Sequence, residues 1–64
     1  MIPNLTPQQA ADVIGISKST LAKLRLKGDG PKYLKIGKTI LYRPPDIEEW
    51  MAGRIFNSTS EYAA

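Results

Sequence analysis

The chain has 64 residues, 42% of them hydrophobic, and carries a net charge of +3 with no cysteine and no histidine. That composition suits one small folded domain and excludes disulfide staples and zinc sites built on Cys or His; a core this small seldom supplies more than about 3 to 5 kcal/mol. No apolar run reaches the roughly 18 residues that span a bilayer, and MIPNLTPQQ has neither the basic start nor the apolar stretch of a signal peptide, so a cytoplasmic protein with no membrane partner is expected.

In LTPQQAADVIG, Thr6 caps a helix, Pro7 fits its first turn because an N–H there has no partner, and Gln9 stands three residues after the cap, as a capping box requires. Ala10, Val13 and Ile14 form an apolar stripe, Leu5 is placed to pack back as a staple, and Gly15 ends the helix in the left-handed conformation. Ser17 caps a second helix that carries Leu21 and Leu24 on its inner side, behind Ile16, and stops at Gly28. Two short helices linked only by Gly15 to Ser17 describe a helix-turn-helix, in which so tight a link makes the helices cross; a plain helical hairpin is the alternative.

The outer side of the second helix separates the two readings. Ser19, Lys23 and Leu26 point away from Leu21 and Leu24, with Ala22 and Lys27 at the edges. A small, hydroxylated, basic face without glutamate suits a DNA major groove: Lys reaches guanine O6 and N7 or phosphate, Ser and Thr reach either, and methyl groups meet thymine.

After the turn residues KGDGP, KYLKIGKTILYR gives two β-rich runs around Gly37 and Lys38, which read as a hairpin. A two-residue loop pairs Ile36 with Thr39. A three-residue loop pairs Ile36 with Ile40 and Leu34 with Tyr42, and is preferred because it gathers four apolar residues on one face and turns Tyr33, Lys35, Leu41 and Arg43 outward. PPDIEEWMAGR opens a third helix, with Asp46, Glu48 and Glu49 in its first turn, Ile47, Trp50 and Met51 on its core face, and Gly53 or Arg54 at its end. Trp50 reads as a packing unit in preference to a base-stacking surface. From Ile55 onward the sequence has no period, so residues 1–54 are expected to form the domain and 55–64 a mobile C-terminal tail.

The charge is concentrated in the middle. Residues 1–16 carry −1 from Asp12; residues 17–43 carry +7 from Lys18, Lys23, Arg25, Lys27, Lys32, Lys35, Lys38 and Arg43 against Asp29; residues 44–64 carry −3 from Asp46, Glu48, Glu49 and Glu61 against Arg54. Such asymmetry is the footprint of a polyanion-binding side, since Lys and Arg gain by displacing counterions condensed on phosphates, although a solvated basic surface explains it nearly as well. With neither His nor Cys there is no triad, no metal cluster and no Gly-rich phosphate loop, and the acidic group at 46–49 suits a helix N-terminus; no enzymatic activity, metal or cofactor is expected.

Residues 5–52, LTPQQAADVIGISKSTLAKLRLKGDGPKYLKIGKTILYRPPDIEEWMA, closely resemble the excisionase and AlpA-like family of small helix-turn-helix proteins, a winged-helix group related to the DNA-binding domains of MerR-type regulators. The marks are LTxxxAAxxIGxSxSTL, the GxGP turn, the KIGK hairpin and YRxxDIEEW, in that order. The expected fold is mainly α with a small β-hairpin, a winged helix-turn-helix. The resemblance implies binding of double-stranded DNA with the second helix in the major groove and the wing on the backbone or adjacent minor groove. On this sequence Ser17, Lys18, Ser19, Thr20, Ala22 and Lys23 match the groove-facing part of that helix, Lys35, Gly37, Lys38 and Thr39 match the wing, and Arg43 falls where members often keep a basic residue. Lys27 is counted with this set, but it and Arg25 stay open between phosphate contact and plain solvation. Ala22 stands where relatives often have a larger side chain and Leu26 is an exposed apolar group, so base readout is expected to be sparse, with more left to phosphate contacts and DNA shape.

Stand-alone members commonly act as recombination directionality factors of prophages and integrative elements, tilting an integrase toward excision; others regulate transcription. The resemblance and the short length, which leaves no room for an effector domain, favour an excisionase, bacterial or phage-encoded and associated with the nucleoid, with an integrase as partner. Side-by-side self-association on DNA through Tyr33, Leu41 or Ile55, Phe56 and Tyr62 is a further expectation. A small transcription regulator of a mobile element is the alternative, and an adaptor for an acidic protein a third.

Overall fold

Thr6 has an extended backbone, φ −68° and ψ 162°; its hydroxyl oxygen accepts from the Gln9 N–H at 3.2 Å while Gln9 Oε1 accepts from the Thr6 N–H at 3.0 Å. That reciprocal pair starts α1, Pro7–Ile14, in a computed structural model that describes residues 3–57. Gly15 at φ 90° stops it, and the N–H groups of Gly15 and Ile16 both return to Ala11 O, at 2.8 and 3.0 Å. Such a left-handed stop satisfies a carbonyl that the helix end leaves open and reverses the chain within the length of the turn.

Ser17 then caps α2, Lys18–Lys27, which ends at Gly28, φ 76°. There the Gly28 N–H meets Arg25 O and the Asp29 N–H meets Leu24 O, the bond pattern of a Schellman stop. Gly30 follows tight against the helix: a Cβ on it would stand 3.2 Å from Leu24 Cβ. In α1, Ala10 and Ala11 are buried and Ile14 packs on the core, whereas Val13, expected in the stripe, is 60% exposed. Two adjacent alanines let α1 and α2 approach closely, and that contact turns Val13 outward.

The hairpin joins β1, Leu34–Ile36, to β2, Thr39–Leu41, in antiparallel register with Leu34 opposite Leu41, Lys35 opposite Ile40 and Ile36 opposite Thr39. The preferred three-residue loop is therefore corrected to a two-residue loop. Gly37 takes φ 60° and, among the described residues, only glycines have positive φ, so the loop has the backbone signature of a type II′ turn, whose twist matches that of the strands. This register divides the apolar residues that the longer loop would have gathered. Tyr33, Lys35, Ile40 and Tyr42 share one face, and Leu34, Ile36, Thr39 and Leu41 the other.

Tyr42 holds the sheet to the rest of the domain. Its N–H and C=O pair with Leu5 at 2.8 and 2.7 Å, a β-bridge beyond the hairpin. Its ring is fully buried and is the largest such side chain. Around it lie Ala10, Ala11, Leu21 and Ile47, with Leu5, Ile14, Ile16 and Ile40 packed against them.

Pro44 and Pro45 open α3, Pro44–Ala52, where no N–H partner is available, and Gly53 follows it. Asp46 lies in the first turn, while Glu48 and Glu49 come after it. Ile47 is buried; Met51 is exposed and Trp50 only half-buried, so Trp50 is not the core unit expected. Its indole N–H instead donates to Asp29 O at 2.8 Å, which sets the ring against the loop after α2. Three helices with a hairpin between the second and third make this a winged helix-turn-helix. Of the expected tail, residues 58–64 lie outside the described residues; Ile55 and Phe56 are exposed.

Candidate nucleic-acid interface

The second helix of the pair is held by its inner side alone. Leu21 is buried and Ala22, Leu24 and Arg25 are half-buried, while Lys18, Ser19, Thr20, Lys23, Leu26 and Lys27 are exposed, Leu26 to 86%. Ser17 is exposed too, and its Oγ accepts from the Thr20 N–H at 3.1 Å and lies 2.8 Å from Thr20 Oγ1. Each hydroxyl has one hydrogen, and only one is needed between the two oxygens, so the other remains to donate outward. This leaves a hydroxyl donor at the positive end of a helix that has no acidic residue in its sequence and that also carries the exposed Lys18 and Lys23.

Between the C-terminal half of α2 and the hairpin runs an open groove of about 570 Å³ lined by Arg25, Leu26, Tyr33, Lys35, Gly37, Lys38 and Ile40. The two-residue loop is what fills it with charge: it places Lys35 on the same face as Ile40 and Tyr42, where the three-residue loop would have set it on the opposite face. Among the described residues, the only ion pair joins Arg43 to Asp46, so Arg25, Lys35 and Lys38 are not neutralised by a carboxylate.

The structure does not bring every expected residue to this groove. Thr39 is exposed on the other face of the hairpin. Arg43 sits at the start of α3 with Nε 3.8 Å from Asp46 Oδ2. Lys27 is exposed in the last turn of α2, where its charge also suits the negative helix end. Arg25, left open between phosphate and solvent, does a third thing: Nη1 donates to Tyr42 Oη at 3.1 Å and the guanidinium carbon is 5.9 Å from the centre of the Tyr33 ring. No periodicity signals that contact, because its partners flank the hairpin 8 and 17 residues further on. Of the residues expected to mediate self-association, Tyr33 is held in this cluster, Leu41 is half-buried, and Tyr62 lies outside the described residues.

A family model described as a helix-turn-helix domain matches residues 5–55, most of the chain. The chain belongs to the helix-turn-helix domain family. Like the family, it is a DNA-binding helix-turn-helix protein. This member of the family matches no curated protein. Among its described residues no helix is long and apolar enough to cross a membrane, and no three His, Cys, Asp or Glu side chains are grouped to hold a metal ion.

Proposed function

We propose that this helix-turn-helix protein is a recombination directionality factor, an excisionase of a prophage or integrative element. It binds near an attachment site and promotes excision by that element's integrase, without catalysis of its own. Kinship with the AlpA-like group and with MerR-type DNA-binding domains belongs to the same reading, as does action in the cytoplasm on the nucleoid and side-by-side assembly along the site. Residues 1–54 serve as the DNA-binding domain, and 55–64 as a tail beyond it.

In the binding mode, α2 enters the major groove. Lys18, Ser19, Lys23 and the edge of Ala22 face bases or their flanking phosphates, and the hydroxyl left free between Ser17 and Thr20 meets the backbone at the helix start. Lys35 and Lys38, with the bare backbone of Gly37 between the strands, meet the sugar-phosphate chain from the wing; Lys27, Thr39 and Arg43 lie at its margins. The observation that carries this reading is the continuity of the acid-free outer face of α2 with the groove holding Arg25, Lys35 and Lys38.

Competition binding tests it. A duplex from the element's own attachment region is bound by the chain and challenged with unrelated duplexes of equal length. A preferred site within that region, and more excised product when the chain is added to its integrase, are the expected results. Equal affinity for all duplexes would refute the excisionase reading; a preferred site at a promoter with no effect on excision would replace it with the regulator.

A further inference from the structure

The proposed binding mode needs α2 and the wing at a fixed angle, yet among the described residues no backbone hydrogen bond joins α2 to either strand. The polar link between them is one side chain. Arg25 is half-buried, donates to Tyr42 Oη at 3.1 Å and has its guanidinium 5.9 Å from the centre of the Tyr33 ring. The rings of Tyr33 and Tyr42, the residues just before β1 and just after β2, are themselves 6.1 Å apart, so the guanidinium is set against both ends of the hairpin at once. Tyr42 does not yield from the other side, because its ring is buried and both its backbone groups are bonded to Leu5. A planar guanidinium suits this position as a lysine would not: it donates along a fixed fork direction while its face or edge rests on a ring.

We propose that Arg25 is a positioning residue, which through Tyr42 and Tyr33 fixes the wing against the second helix so that Lys38 and the outer face of α2 meet one duplex together. This rests on the reading of α2 and the wing as a joint DNA-binding surface. Its competitor is that Arg25, which also lines the groove, binds a phosphate directly. The two differ in what they do to Lys38. A phosphate contact acts alongside Lys38, whereas a positioning contact decides whether Lys38 reaches the backbone at all.

A double-mutant cycle in duplex binding, run at several salt concentrations, separates them. Tyr42→Phe keeps the buried ring and removes the oxygen to which Arg25 donates; Arg25→Lys keeps the charge and removes the fork, and serves alone if the Tyr42 variant fails to fold. Each is expected to weaken binding about fivefold to tenfold and, because Lys38 then no longer reaches its phosphate, to flatten the salt slope by up to about one unit. In either background Lys38→Ala should then cost much less than it does in the wild-type chain. Additive losses overturn the inference, as does an Arg25→Lys variant of wild-type affinity and salt slope beside an Arg25→Ala variant that loses both, since a charge that meets a phosphate directly is replaced by another charge. If the wild-type chain binds no duplex, the joint-surface reading fails and the inference with it; if it binds and the losses add, the inference fails alone.

Discussion

Trp50 and Asp29 stand 21 residues apart and meet through an indole N–H to carbonyl bond of 2.8 Å. The same carbonyl accepts from Arg54 Nη2 at 2.9 Å, and the Arg54 guanidinium lies 4.2 Å from the centre of the Trp50 ring while Nη1 donates to Trp50 O at 3.3 Å. The end of α3 is thereby clamped to the loop that leaves α2. Because Asp29 N is also bonded to Leu24 O, the clamp bears on α2.

Trp50→Phe keeps most of the ring and removes the indole donor. Arg54 still serves Asp29 O, so the loss is expected to be about 1 kcal/mol, the net value of one hydrogen bond. Trp50→Ala also removes the ring on which Arg54 stacks and should cost clearly more. Thermal melts followed by far-UV circular dichroism give the order; equal melting temperatures for the three chains would show that the clamp contributes nothing.

Thr6→Ala removes the hydroxyl oxygen that accepts from the Gln9 N–H and leaves only the other half of the capping box, Gln9 Oε1 on the N–H of residue 6. A cost of about 1 kcal/mol is expected. In a domain of this size that lowers the melting temperature by roughly 4 to 8 °C. Thr6→Ser should restore most of it, and a Ser variant as unstable as the Ala variant would place the loss in the methyl group and not in the cap.

These two contacts also mark how far the sequence can be read. Thr6 with Gln9, Gly15, Ser17 with Thr20, and Gly28 all act on backbone within a few residues, so spacing alone locates the helices and the tight turn. Periodicity placed Leu21 inward and Lys23 outward for the same reason. Val13 and Trp50 went the other way because their side depends on which helix or loop lies opposite. The register of the wing does not follow from its apolar pattern, because the turn outweighs a clustered apolar face: Gly37 at the first loop position fixes a two-residue loop, and the hairpin then reaches the core through Ile40 and Tyr42, in β2 and its continuation. Within the candidate site the exposed lysines are legible from charge and spacing. The role of Arg25 is not, since it depends on a tyrosine 17 residues away that the fold brings to it.

If the hairpin tip meets phosphates and reads no base, as proposed, Lys38→Ala should weaken binding to every duplex by a similar factor. The slope of log affinity against log salt concentration should flatten by about one unit. A loss confined to the preferred site, with an unchanged slope, would place Lys38 on a base.

Lys23→Ala gives the most direct test of the central claim, that the outer face of α2 reads the major groove. Fluorescence anisotropy of wild-type and variant chains on the preferred site and on a scrambled duplex, at one fixed salt concentration, measures the ratio of the two affinities. If Lys23 meets a base, the variant should lose about 1 to 3 kcal/mol on the preferred site and much less on the scrambled one, so that the ratio falls. An unchanged ratio, with both affinities lowered alike or neither lowered, would contradict the placement of Lys23 on a base in the groove.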